Sequence, residues 1–383
     1  MSEAALVDLE FPPATDGAIA AINQASTRQH AWSRFWQAPE RPGLAEYIAE
    51  QEGMALEFLS DFTALDRLDG LAEHLSHSGA DAVRVALIRT QAASAAHRFT
   101  KARQHLAQAR ALGAAEELVE RLALGIDQAC GMHLDAALAR RRVVATATGR
   151  LEDHVPLGAL LADLGEYDAA DAVYRDALRQ YRDVSPFAMA WVCFRLGVLW
   201  GETAPKRQSA RAMMWYGQAI AYLPCYVKAR VHLAELYLAD GRPDAARALL
   251  LPALPSGDPE VQWRLGDALT ALGQLAAADN MLAAAQAGFE ALIDQHELAF
   301  VDHGAEFYAG SGNDVARAFA LAQIDLANRP TPRAFMKACA AAQGAGEARA
   351  EARLRDDAMA LWGETLAFRQ LPLGKDGMKR TST

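Results

Sequence analysis

Cysteine is scarce in this chain of 383 residues: Cys130, Cys193, Cys225 and Cys339 are too few and too widely spaced for a disulfide framework, and no pair has CxxC spacing. Reduced thiols are expected. Positive charge is also in deficit, with 38 Lys and Arg against 48 Asp and Glu and a formal net charge of -10. A general nucleic-acid binder must set many cations against phosphates, so this balance argues against nucleic acid as a partner. The one basic run, Arg140, Arg141 and Arg142, reads as a solvated helix face. No apolar run approaches the roughly 20 residues of a membrane span. The start, with Glu3, Asp8 and Glu10, lacks the basic and apolar regions of a secretory signal, so a cytoplasmic protein without membrane contact is expected. There is no convincing strand run, no HExxH, and no phosphate loop, since GSGND from Gly310 lacks the GK[ST] ending. No cofactor and no enzymatic activity are expected.

What the chain does have is a globular balance, 52% hydrophobic and 22% charged, and a clear internal repeat. In the segment that begins at Leu151, Leu157, Gly158, Leu161, Gly165, Tyr167, Ala170, Tyr174 and Ala177 fall at positions 7, 8, 11, 15, 17, 20, 24 and 27. Leu157 and Leu161 share one face of a first helix, and Gly158 lets a neighbour approach closely. Gly165 permits the left-handed backbone of a helix stop, and Asp168 is placed to start a second helix. Along that helix Ala170, Tyr174 and Ala177 make a stripe of small, large and small side chains. The code returns from Val227, with Leu233, Ala234, Tyr237, Gly241, Ala246, Leu250 and Ala253. It returns again from Pro259, with Leu265, Gly266, Leu269, Gly273, Ala278, Leu282 and Ala285.

This pattern resembles the tetratricopeptide repeat family, specifically over 151–285 and more loosely over 83–364. The resemblance implies an all-α fold: helix pairs stacked into a right-handed superhelix. Between the clear repeats, 190–224 fits if an insertion at Thr203 to Arg207 lengthens its inter-helix turn, and His97 replaces the usual turn glycine upstream. Pro252 falls inside an expected second helix and should stop it about one turn early. The domain plan is a disordered N-terminus over 1–17, an N-terminal helical segment over 18–82 that is a set of degenerate repeats or a cap, the array over 83–364, and a tail over 365–383.

In this family the first helices line the concave side, and repeat positions 2, 5, 6, 9, 12 and 13 usually look into it. Here these select Glu152 and Asp163, Trp191, Phe194 and Arg195, Lys228, His232 and Glu235, then Trp263, Arg264 and Asp267. Aromatics beside arginines suit a protein or peptide partner, so a scaffold or adaptor is expected; packing between repeats is the competing role for Trp191 and Trp263. A clamp for a chaperone-tail carboxylate is disfavoured, because position 9 is Ala159, Val198, Glu235 and Asp267. The alternative is an accessory or sensor protein that binds a small molecule or metal through His296, Asp302, His303 and Glu306, whose spacings allow one helix face. Trp32, Phe35 and Trp36 read as core rather than as a ligand cage.

Overall fold

A computed structural model describes residues 12–373. The described chain is helical, without a strand, and its helices stack as a right-handed solenoid of antiparallel neighbours. After α1 (Gly17–Gln37) come α2 (Leu44–Leu59) with α3 (Ala64–His77), α4 (Ala82–Ala95) with α5 (Phe99–Ala111), and α6 (Glu116–Ala129) with α7 (Leu134–Thr148). The clearest repeats give α8 (Leu151–Asp163) with α9 (Tyr167–Gln180), α10 (Pro186–Val198) with α11 (Ser209–Tyr222), and α12 (Val227–Ala239) with α13 (Pro243–Leu250). Next, α14 (Pro259–Ala271) packs on the first half of α15 (Leu275–Ala309), and the second half of α15 packs on α16 (Val315–Asn328). Last come α17 (Pro332–Gly344), α18 (Ala348–Trp362) and the short α19 (Leu366–Gln370). Among the described residues, no helix is long and apolar enough to cross a membrane.

The repeat code works through direct contact between the two helices of a pair. A Cβ on Gly158 would stand 2.6 Å from the Tyr174 ring, one on Gly197 2.4 Å from Tyr216, and one on Gly266 2.8 Å from Leu282. Position 8 is therefore small because position 24 lies on it, and Ala234 and Leu250, at the same two positions, are both fully buried in one apolar cluster. The turn after α8 needs the left-handed backbone of Gly165, at φ +87°, and His97 accepts φ +53° at the matching turn. Pro252 acts as its position requires: α13 ends at Leu250 and the chain tightens into a 3-10 turn over Leu251–Ser256. The insertion in the 190–224 repeat appears as a π turn, Leu199–Thr203, followed by a loop to Gln208.

The superhelix is tight enough for successive turns to touch. Phe58, at the end of α2, packs against Phe187 (5.1 Å) and Tyr226 (4.9 Å) in the main apolar core, and Phe62 meets Phe300 (4.9 Å). Further along, Asn328 Nδ2 donates to the His97 carbonyl (3.0 Å), the Trp362 ring covers Gly131, and the Ala367 backbone covers Gly165. The segment 18–82 is thus helical, with α1 against α10, α2 against α12, and Phe62 and Asp66 reaching the second half of α15.

At both ends the described residues are held by specific contacts. Residues 1–11 lie outside the described residues, but 12–16 are pinned: Tyr222 donates to the Pro12 carbonyl (2.9 Å) and Thr15 to that of Val184 (3.0 Å). At the other end, Thr365 caps α19, and Ala367, Phe368 and Leu373 are buried, so the tail joins the array at least to 373. The remaining tail, 374–383, lies outside the described residues.

Candidate functional site

The first helices of the pairs carry a seam of charge, and each link has a separate local cause. On α10, Trp191 is half-buried, whereas Phe194 is buried against Tyr216 (5.7 Å), Tyr226 (5.0 Å) and His232 (5.4 Å). Arg195, one turn after Trp191, is half-buried near the Tyr174 hydroxyl, which favours its charge. No carboxylate of the described residues stands within 4.0 Å of it. Burial works against its charge, but Tyr174, Asp163 and Glu57 outweigh burial and raise its pKa.

On α12, Lys228 Nζ and the Tyr226 hydroxyl both donate to Glu57 at 2.7 Å, which ties α2 to the seam. His232 Nδ1 lies 2.8 Å from Glu202 and 3.6 Å from Glu235. Burial alone would lower the His232 pKa; the two carboxylates reverse that and raise it well above the ordinary value. Glu202 accepts from the Tyr216 hydroxyl (2.8 Å) and from Arg333 of α17 (3.1 Å), and its carboxyl is held well below the usual range against the cost of burial. The π turn places this acid at the centre of the seam, since a π turn shifts side chains relative to a regular helix.

On α14, Arg264 pairs with Glu235 and with Asp267 (3.5 Å), and lies 3.5 Å over the Trp263 ring. Trp263 is 3% exposed, and its indole N–H donates to Ser311 (2.9 Å), which donates to Asp267 (2.6 Å). Trp263 is therefore a core residue that supports the seam, whereas half-buried Trp191 remains accessible. Glu260 meets His303 Nδ1 at 2.6 Å. Burial opposes both charges, yet their mutual attraction, with Asp302 also acting on the imidazole, pushes His303 up to about 10 and Glu260 down to about 2.

The alternative set does not form one face. His296 has a non-helical backbone (φ -138°, ψ 56°) that kinks α15, and its Nε2 turns to Asp66 at 3.0 Å. Beyond the kink, Asp302 pairs with Arg329 (2.9 Å), His303 with Glu260, and Glu306 with Lys337 (2.6 Å). Among the described residues no group of three His, Cys, Asp or Glu is placed to hold a metal. The broken helix separates His296 from the other three, because a spacing rule for a shared face holds only across continuous helical backbone, and those three are each drawn to a different partner. Elsewhere, Phe35 is buried and Trp32 donates to Glu52 (2.7 Å), while Trp36 stays 57% exposed with its ring edge-on to His74. In the basic run, Arg140 pairs with Glu120 (2.8 Å) and Arg142 with Glu166 (3.7 Å).

Among the seam residues not singled out from the sequence are Glu202, Glu260 and Arg333. The signal for two of them was present. Counting from Ala190 and Pro259, Glu202 is at position 13 and Glu260 at position 2, both concave positions. Arg333 follows Pro332 at the start of α17, where the repeat code is too degenerate to set a register.

No protein-family model matches the chain, and no curated protein does. Solved structures with similar arrangements include the APC/C hetero-tetramer Cut9–Hcn1, 14% identical at TM-score 0.45, over 88% of this chain and 67% of that one. The human IFIT1 dimer with m7Gppp-AAAA is 14% identical at TM-score 0.43, over 98% of this chain and 88% of that one. PilF of Pseudomonas aeruginosa is 14% identical at TM-score 0.28, over 76% of this chain and 96% of that one.

Proposed function

We propose that the protein is a non-catalytic scaffold that holds a segment of a partner protein along the concave seam, anchored between α8 and α12. The observation that carries this reading is Arg195. Lys228, His232, Arg264, His303, Arg329, Arg333 and Lys337 each have a carboxylate within ion-pair distance. Arg195 has no carboxylate of the described residues within that distance, only the Tyr174 hydroxyl nearby and Asp163 and Glu57 at longer range, and it stands one turn from a half-buried tryptophan. A guanidinium with donors to spare beside an apolar ring suits a partner that offers a carbonyl or carboxylate and an apolar side chain together. The acidic balance of the chain favours a protein over a nucleic acid as that partner.

Proteins captured on the immobilised wild-type chain are compared with those captured on Trp191→Ala, Arg195→Ala and the convex-face control Asp176→Ala. Truncating an anchor is expected to weaken capture about 30-fold, equivalent to ~2 kcal/mol, with the control unchanged. Identical capture by all four chains, each shown folded by its melting curve, would remove the groove reading.

A further inference from the structure

The two contacts between superhelical turns differ in kind. On the N-terminal side, Phe58 enters the same apolar core as Phe187 and Tyr226, so α2 is welded to the middle of the array. On the C-terminal side, Phe335, Cys339, Ala358, Phe368 and Leu373 form a separate core that shares no residue with the one spanning α7–α12. Contact there is made at edges: the Trp362 ring on the Gly131 turn and the Ala367 backbone on the Gly165 turn. Two clefts, of about 410 and 360 Å³, run along this junction, one partly lined by Asp163 and Trp362 and the other by Trp200 and Gln370. Across the groove itself, Arg333 donates to Glu202 at 3.1 Å, with the Arg333 side chain 51% exposed.

We propose that α17–α19 form a lid that turns on its stack with α16, closes over the Asp163 and Arg195 end of the seam, and is clasped shut by Arg333 and Glu202. This rests on the reading of that seam as the binding site. A junction without a shared core exposes little apolar surface when it parts, and an ion pair whose guanidinium is half exposed is weakened by solvent and screened by salt. Glu202 loses only one of its partners on opening, because Tyr216 and His232 remain beside it on the fixed side. The clasp is therefore the replaceable contact, whereas Phe58 is a permanent one.

The test uses paired spin labels at Asp176 on α9, its side chain about half exposed, and Glu364 beyond α18, fully exposed, in the full chain with Cys225→Ser to remove the half-buried thiol. One short distance is expected to dominate at low salt, with a longer population appearing at about 1 M salt, where the screening length falls to ~3 Å. Arg333→Glu is expected to raise the longer population at low salt, and adding Glu202→Arg to bring it back down. A single distance distribution unchanged by salt and by Arg333→Glu overturns the lid; the salt series alone decides if a variant fails to fold. Because no partner is needed, the measurement separates the two ideas: opening without Arg195-dependent capture keeps the lid and removes the binding reading.

Discussion

Adding a single methyl group at Gly197 is expected to destabilise the protein, although alanine is the better helix former. In the interior of α10 a Gly→Ala change gains about 1 kcal/mol in backbone terms. The new Cβ, however, would stand 2.4 Å from two carbons of the Tyr216 ring, more than ~1 Å inside the optimal carbon separation. The ring has no free direction in which to yield: Tyr216 is 1% exposed, lies against Phe194 and His232, and its hydroxyl is tied to Glu202 at 2.8 Å. Overpacking of a locked site costs about 1–3 kcal/mol, and the upper end applies here, so Gly197→Ala should lose about 2 kcal/mol net. Gly217, in the facing helix of the same pair, has nothing within 4 Å of its Cβ position, so Gly217→Ala should gain about 0.5–1 kcal/mol. Urea denaturation followed by circular dichroism compares the two variants under one condition. If both raise the midpoint, the contact between positions 8 and 24 does not carry the energy assigned to it, and the argument from the repeat code fails with it.

Two further outcomes concern the seam. Phe58→Ala is expected to cost about 3–5 kcal/mol, because the ring fills a site shared by Phe187 and Tyr226, while Lys228→Ala, which breaks only the half-exposed bridge to Glu57, should cost about 1 kcal/mol or less; equal shifts in the urea midpoint would deny the apolar weld. The pair of His303 and Glu260 sets a pH dependence. His303 has its folded pKa raised from 6.5 to about 10, so its contribution is complete below about 6.5 and is lost as the pH climbs through about 10, while Glu260, held at about 2, stays ionised throughout. The urea midpoint of the wild type should therefore fall across that window and fall less in His303→Gln; a midpoint that is flat in the wild type refutes the pairing.

How much of this was legible depended on whether the cause was local. Gly158 beneath Tyr174, the left-handed turn at Gly165, the early stop at Pro252 and the lengthened turn near Thr203 are consequences of residues within one helix pair. Each was readable because the repeat fixes which residues meet. The hairpins of residues 18–82 have no repeat code, and their place depends on Phe58 and Phe62 finding rings well over a hundred residues away. Pinning of 12–16 depends in the same way on Tyr222 and Val184. The His296 kink was hidden for another reason: nothing in DQHELAF breaks a helix, and the bend comes with the pairing to Asp66 across the superhelix.

The difference between paired and unpaired cations along the seam, by contrast, can be traced to register. Arg195, His232 and Arg264 all occupy position 6 of their repeats, so the solenoid presents them at equivalent places on three successive first helices. Arg264 is met by Glu235, which is position 9 of the repeat before it. The corresponding residue before His232 is Val198, which offers no charge, and Glu202 reaches His232 instead because the π turn brings position 13 into the gap. Before Arg195 the position-9 residue is Ala159, buried and apolar, and α8 continues without an inserted turn that could supply a substitute. Asp163, at position 13, is engaged by Gln128 (2.8 Å) and acts on Arg195 only at longer range. The open valence of Arg195 thus follows from one small residue at one repeat position, in a scaffold that satisfies the same position in the next two repeats by two different routes. That contrast is why the proposed anchor is Arg195 rather than the more conspicuous pair of Trp263 and Arg264.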